Sequence, residues 1–150
     1  MGATGEGSAA LRARFAGDLR AGYLDARRIA AQLRRHAGRV PYPRLGPTLV
    51  GLADRADAQA ARVAAELRAL AGNADPADPT SPRDGRNHWE RLSVDLADLE
   101  ALKRRWVDLA LRWDVDFPAT AAALAEFGRT TSAMSATVRD LLARADPHAA

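Results

Sequence analysis

Apolar residues recur every three or four positions in four separate stretches of this chain, and proline-bearing breaks divide them, so the chain is restricted to amphipathic helices packed on one another. The first stretch runs Leu11, Phe15, Leu19, Gly22, Ala26, Ile29, Leu33 and then His36 or Ala37, with Ser8 as the expected N-cap and Gly38 as the stop. The segment VPYPRLGP cannot continue a helix. With Pro47 in a first turn, the next stripe is Leu49, Leu52, Ala53, Ala56, Ala60, Val63, Leu67 and Leu70, ended by Gly72. Residues 73–86 hold Pro76, Pro79, Pro82 and Gly85 and read as a loop. Asn87 is the expected cap of a third helix that carries Trp89, Leu92, Leu96, Leu99, Leu102, Trp106, Leu109 or Ala110, and Trp113. After a DVDFP turn, Asp116 is the expected cap and Pro118 the first-turn residue of a fourth helix, with Leu124, Phe127, Gly128, Thr131, Met134, Val138, Leu141 and Ala145 on its stripe.

Loop lengths order these helices. The first and last connections are short, which makes two antiparallel hairpins. The fourteen residues of 73–86 reach roughly 45 Å at about 3.3 Å each, about the length of one of these helices at roughly 1.5 Å per residue. The expectation is an all-α four-helix bundle, with two antiparallel hairpins joined by a long crossover loop at 73–86; a simple up-down-up-down chain with a slack loop is the alternative. The 150 residues suit a single domain spanning 1–150, with 1–7 and 146–150 as disordered tails. Cysteine is absent, which excludes a disulfide framework, a thiolate metal site and a cysteine nucleophile, and fits a cytoplasmic protein. Neither a basic, apolar leader nor a membrane-length apolar run is present, so no membrane partner is expected.

The two halves repeat one spacing. Leu49, Leu52, Ala53, Ala56, Gln59 and Val63 match Leu124, Phe127, Gly128, Thr131, Met134 and Val138, and Leu33 with Ala37 matches Trp106 with Ala110. In this repeat, and in the Pro-Tyr-Pro turn after the first helix, the chain resembles the ferritin-like superfamily, in particular rubrerythrin-type bundles of two pseudo-repeated helix pairs. The resemblance implies Glu-x-x-His or Glu-x-x-Glu in the second and fourth helices and a glutamate in each of the others, because two metal ions in an apolar bundle require anionic ligands on facing helices. At the matching positions stand Ala26, Ala56, Gln59, Leu99, Thr131 and Met134, so the expected site is degenerate and metal-free, with no cofactor. Asp25 and Glu100 are neighbours of two of these positions but lie about 100° around their helices. Gln59 should reach Thr131 across the centre, or share it with water or a small ligand, in a loosely packed layer where replacing Gln59 by Leu is tolerated or stabilising.

Other signals are structural. His36, His88 and His148 fall at helix ends or in the tail and suit solvated or capping roles. Asp54 with Asp57, and Asp95 with Asp98, suit solvated faces beside arginines, while Trp89, Trp106 and Trp113 share a core-facing stripe. Residues 1–48 carry a balance of +6 and the remainder −3, so Arg27, Arg28, Arg34 and Arg35 could face an anion. The arginines alternate with apolar residues and lack interleaved aromatics, which disfavours nucleic acid. The function expected is a non-catalytic structural or interaction module that associates with itself or with a protein partner. Two rivals are a di-iron or di-manganese oxidoreductase or carrier using Asp25, Glu100 and a histidine, and a module that docks an anionic partner through its basic first helix.

Overall fold

The computed structural model describes residues 2–71 and 81–146. Four helices account for nearly all of them: α1 (Gly2–Ala37), α2 (Leu45–Ala71), α3 (His88–Trp113) and α4 (Pro118–Arg144). The architecture is an all-α four-helix bundle in which α1 packs closely on α2, and α3 on α4. Among the described residues no helix is long and apolar enough to cross a membrane.

Helix boundaries follow the punctuation with three differences. Asn87 caps α3 as its sequence position suggests, its side chain accepting the Glu90 N–H at 2.8 Å. Helix α1 begins at Gly2, ahead of the expected cap at Ser8 and through the expected tail; Gly2, Gly5 and Gly7 weaken a helix there, but no proline breaks it. Helix α2 begins at Leu45, and Pro47 falls in its first turn, where a missing N–H is harmless. The N-cap of α4 is Phe117, not Asp116, and no side chain caps it; Pro118 at the first position favours an extended residue before it, which Phe117 supplies at φ −137°. The stop at Gly72 and the end of the C-terminal tail lie outside the described residues.

Polar contacts fix the directions of the helices. From Asp18–Arg112 through Asp25–Arg105 and Gln32–Asp98 to His36–Asp95, α1 numbers rise as α3 numbers fall, so the two are antiparallel. Glu66 with Thr120 and Gln59 with Thr131 make α2 antiparallel to α4 in the same way. Since α1 is also antiparallel to α2, helices α2 and α3 are parallel, and the end of α2 lies at the opposite end of the bundle from the start of α3. The connection therefore traverses the bundle, as expected of a crossover at 73–86; residues 72–80 of it lie outside the described residues.

The core is built from the four stripes. Phe15, Leu19, Ile29, Leu33, Leu49, Leu67, Leu92, Leu99, Leu102, Trp106 and Leu124 are all essentially fully buried, and at roughly 1.5–3 kcal/mol per large apolar side chain this burial dominates the fold. At the end of the bundle distant from the α1–α2 turn, Phe15 stacks on Phe117 at 4.2 Å and meets Trp113 at 5.0 Å. The Trp113 indole N–H is satisfied by Asp18 at 2.9 Å. Helix α1 comes close to α3 where Gly22 faces Trp106: a Cβ on Gly22 would stand 2.5 Å from the indole ring.

Candidate functional site

The six positions that match metal ligands in the resemblance, Ala26, Ala56, Gln59, Leu99, Thr131 and Met134, are all buried, the most exposed being Gln59 at 4%. Across the centre, Gln59 Nε2 donates to Thr131 Oγ1 at 3.1 Å, so α2 and α4 do meet there. The sequence reading missed the third member. Trp106 Nε1 donates to Gln59 Oε1 at 3.0 Å, and the fully buried indole lies against Gly22 on one side and against Phe127, ring to ring at 5.5 Å, on another. The centre is thus occupied by an aromatic ring whose single polar atom needs the amide, and the loose layer expected there is closely packed on this side. The spacing places an indole here on the core stripe, but nothing in it announces the hydrogen bond.

A second polar layer lies nearer the α1–α2 turn, and sequence reasoning misplaced it. Asp95 and Asp98 are buried, at 0% and 5% exposure, instead of solvated. Both face α1: Gln32 Nε2 donates to Asp95 at 2.9 Å and to Asp98 at 3.0 Å, and His36 Nδ1 lies 2.8 Å from the other Asp95 oxygen. His36 is likewise buried, not solvated. The arriving end of the crossover closes this layer. The Arg83 backbone N–H donates to Gln32 Oε1 at 2.7 Å while its guanidinium and that of Arg28 hold the two Asp98 oxygens.

Beside it Asp84 stands among Arg39, Arg91 and His36. The Gly85 N–H and Arg39 hold its carboxyl below the usual aspartate range. Carboxylate, imidazole and carboxylate in series resemble the orientation of a general base. Here the outer nitrogen Nε2 of His36 is buried 3.6 Å from Asp84, with no hydrogen bond of its own, so the ring faces the carboxylate that Arg39 and Arg91 also approach. The layer is an anchor for the crossover.

The remaining candidates disperse. Arg27 pairs with Asp57, Arg28 with Asp98, Arg34 with Asp54 and Asp57, and Arg35 approaches Asp84 at 4.0 Å, so the expected anion-facing row is engaged by carboxylates of the same chain. Hydrogen bonds to both aspartates raise the Arg34 pKa further above neutrality. Asp25 and Glu100 are held by Arg105 and Arg139, apart from each other, and no cluster of three or more His, Asp or Glu side chains suited to a metal ion forms among the described residues. His88 is buried at the start of α3, not solvated, and desolvation with the charge of Arg91 pushes its pKa down; His148 lies outside the described residues. Of the three indoles, Trp106 and Trp113 are buried and Trp89 is half-buried. No family model, curated protein or solved structure matches the chain, so its reading rests on this geometry alone.

Proposed function

We propose that this chain is a non-catalytic, metal-free bundle of ferritin-like type whose role is assembly, and that its partner is a second copy of itself. The observation that carries the reading is an apolar row that starts on the outer face of α3 and runs into the turn after it, where Val107, Leu111 and Val115 are 40%, 76% and 88% exposed. Isolated exposed apolar residues are ordinary, whereas a row at helical spacing on one face suits an interface. Next to it a groove of about 370 Å³ runs between α3 and α4 over the small residues Ala125, Gly128 and Ser132. Val107 and Leu111 form one wall of this groove, so row and groove make one continuous apolar face.

The charges favour a two-fold pairing. Arg104 and Asp114 are exposed at equal distances along the chain from residue 109, and an antiparallel meeting of two copies centred at the level of residue 109 brings Arg104 of each copy toward Asp114 of the other. At the centre, the mutual hydrogen bonding of Gln59, Thr131 and Trp106 supports packing over chemistry. The self-pairing of the α1 arginines weighs against nucleic acid.

Analytical ultracentrifugation over a hundredfold range of concentration tests the reading. The expected result is a concentration-dependent dimer that Leu111→Glu converts to monomer. A monomer at all concentrations, or a dimer untouched by Leu111→Glu, removes it. Stoichiometric iron or manganese that survives dialysis would establish the metal-bearing alternative.

A further inference from the structure

At the end of the bundle where α3 starts and α4 finishes, a cleft of about 440 Å³ opens between these helix ends and the α1–α2 turn. This is within the range of roughly 300–1,000 Å³ typical of small-molecule sites, and the cleft is lined largely by carbon from Tyr42, Leu45 and Leu141. Its polar contribution is cationic or neutral: Arg44, Arg144 and His88. His88 is only 5% exposed and has no hydrogen-bond partner among the described residues, and what its ring nitrogens reach is the solvent of the cleft, so they are free to meet a ligand there. Arg44 is exposed and has no carboxylate within ion-pair distance among the described residues, while Arg144 has only Asp140, at 4.0 Å. Most other arginines on this chain are matched to acids, so cations left over beside an apolar floor stand out.

We infer that this cleft binds a small organic carboxylate with an apolar body, the carboxylate meeting Arg44 and Arg144 and the body lying on Tyr42, Leu45 and Leu141 with His88 as an additional polar contact. An inorganic anion would leave the apolar floor unused, and a neutral apolar molecule would leave the guanidinium groups unmatched. The site lies away from the outer face of α3 and does not depend on self-association.

The test is amide-resolved NMR titration with decanoate below its micelle concentration, beside decanol and inorganic phosphate. Decanoate should shift the His88 and Leu141 resonances saturably and bind at least tenfold more tightly than decanol, and phosphate should leave them still. Arg44→Ala should weaken decanoate about tenfold without altering decanol. Thr48→Trp, from an exposed position on the cleft wall, should abolish binding of both. Unchanged dichroism will show that both variants keep the fold. Equal affinity for decanoate and decanol, indifference to Arg44→Ala, or shifts elsewhere in the bundle would overturn the inference. So would binding to phosphatidylglycerol vesicles without binding to free decanoate, since the anion would then be a lipid headgroup.

Discussion

Gln59 joins three helices through one amide, donating to Thr131 and accepting from Trp106. The expectation that leucine could replace it with a gain in stability took account of the amide alone. With the indole N–H included, Gln59→Leu strands two buried polar groups, and we expect a loss of about 2 kcal/mol in urea unfolding. A variant as stable as the parent would mean that Trp106 finds another acceptor. The contact between Gln59 and Thr131 was legible because both halves of the chain repeat one spacing, which set the two residues at matching depths. The role of Trp106 was not legible, because periodicity assigns a side chain to a face and is silent on which polar atom it will meet. Asp95 and Asp98 show the same limit. At i and i+3 they had the look of a charged outer face, and only the position of Gln32 and His36 on α1 turns that face inward.

At the scale of elements, the crossover is held where it arrives. Asp98 takes hydrogen bonds from Arg28, Gln32 and Arg83, and so ties α1, α3 and the end of the crossover to one carboxylate. Asp98→Ala leaves these donors without their anion. Because Arg83 is half-exposed and rehydrates easily, the expected loss is about 2–3 kcal/mol, below the roughly 3–5 kcal/mol of a fully buried pair. Hydrogen exchange at the Arg83 amide, which donates to Gln32, should quicken more than exchange in the middle of α2. Exchange that quickens uniformly would show that the anchor has no local role.

The start of α3 also makes stability depend on pH. Burial and Arg91 hold the pKa of His88 below its ordinary 6.5, with Asp95 opposing and His36 adding to the effect. Above about pH 6.5 the ring is neutral in both states and its contribution is intact. As pH falls from there the unfolded chain takes up the proton first, and stability declines until the folded pKa has been passed. Thermal midpoints from pH 8 to pH 5 should therefore fall more steeply for the parent than for His88→Gln. Parallel curves would assign the slope to other groups. Helix starts were the least legible elements: Asn87 caps as read, but Ser8 and Asp116 do not, since a capping side chain permits a helix start without enforcing one.

For the whole molecule, a single length narrowed the topology to two, a crossover or an up-down-up-down chain with a slack loop. A connection long enough to traverse the bundle allowed α2 and α3 to run parallel, and the antiparallel contacts between α1 and α3 require that arrangement. The outer row of Val107, Leu111 and Val115 was not legible, because helical periodicity marks the stripe that buries a helix and not the apolar residues left outside it. If that row joins two copies with Arg104 against Asp114, raising the salt concentration should weaken the dimer only modestly, as the apolar contacts are insensitive to screening. Leu111→Glu should leave monomer stability within about 0.5 kcal/mol, as its side chain is largely exposed. Dissociation accompanied by unfolding would instead make the interface part of the fold.

The uneven distribution of contacts also bears on how the chain reaches its native state. Each hairpin is extensively packed within itself, whereas α2 and α4 touch only sparsely and α1 meets α3 over fewer residues than either hairpin pair shares. Contacts between neighbours in sequence carry little loop-closure entropy, so the two hairpins should collapse early and as separate units. Their docking must wait for the long connection to be drawn along the bundle. Substitutions inside a hairpin core should then slow folding, while loss of the Asp98 anchor should act mainly by speeding unfolding.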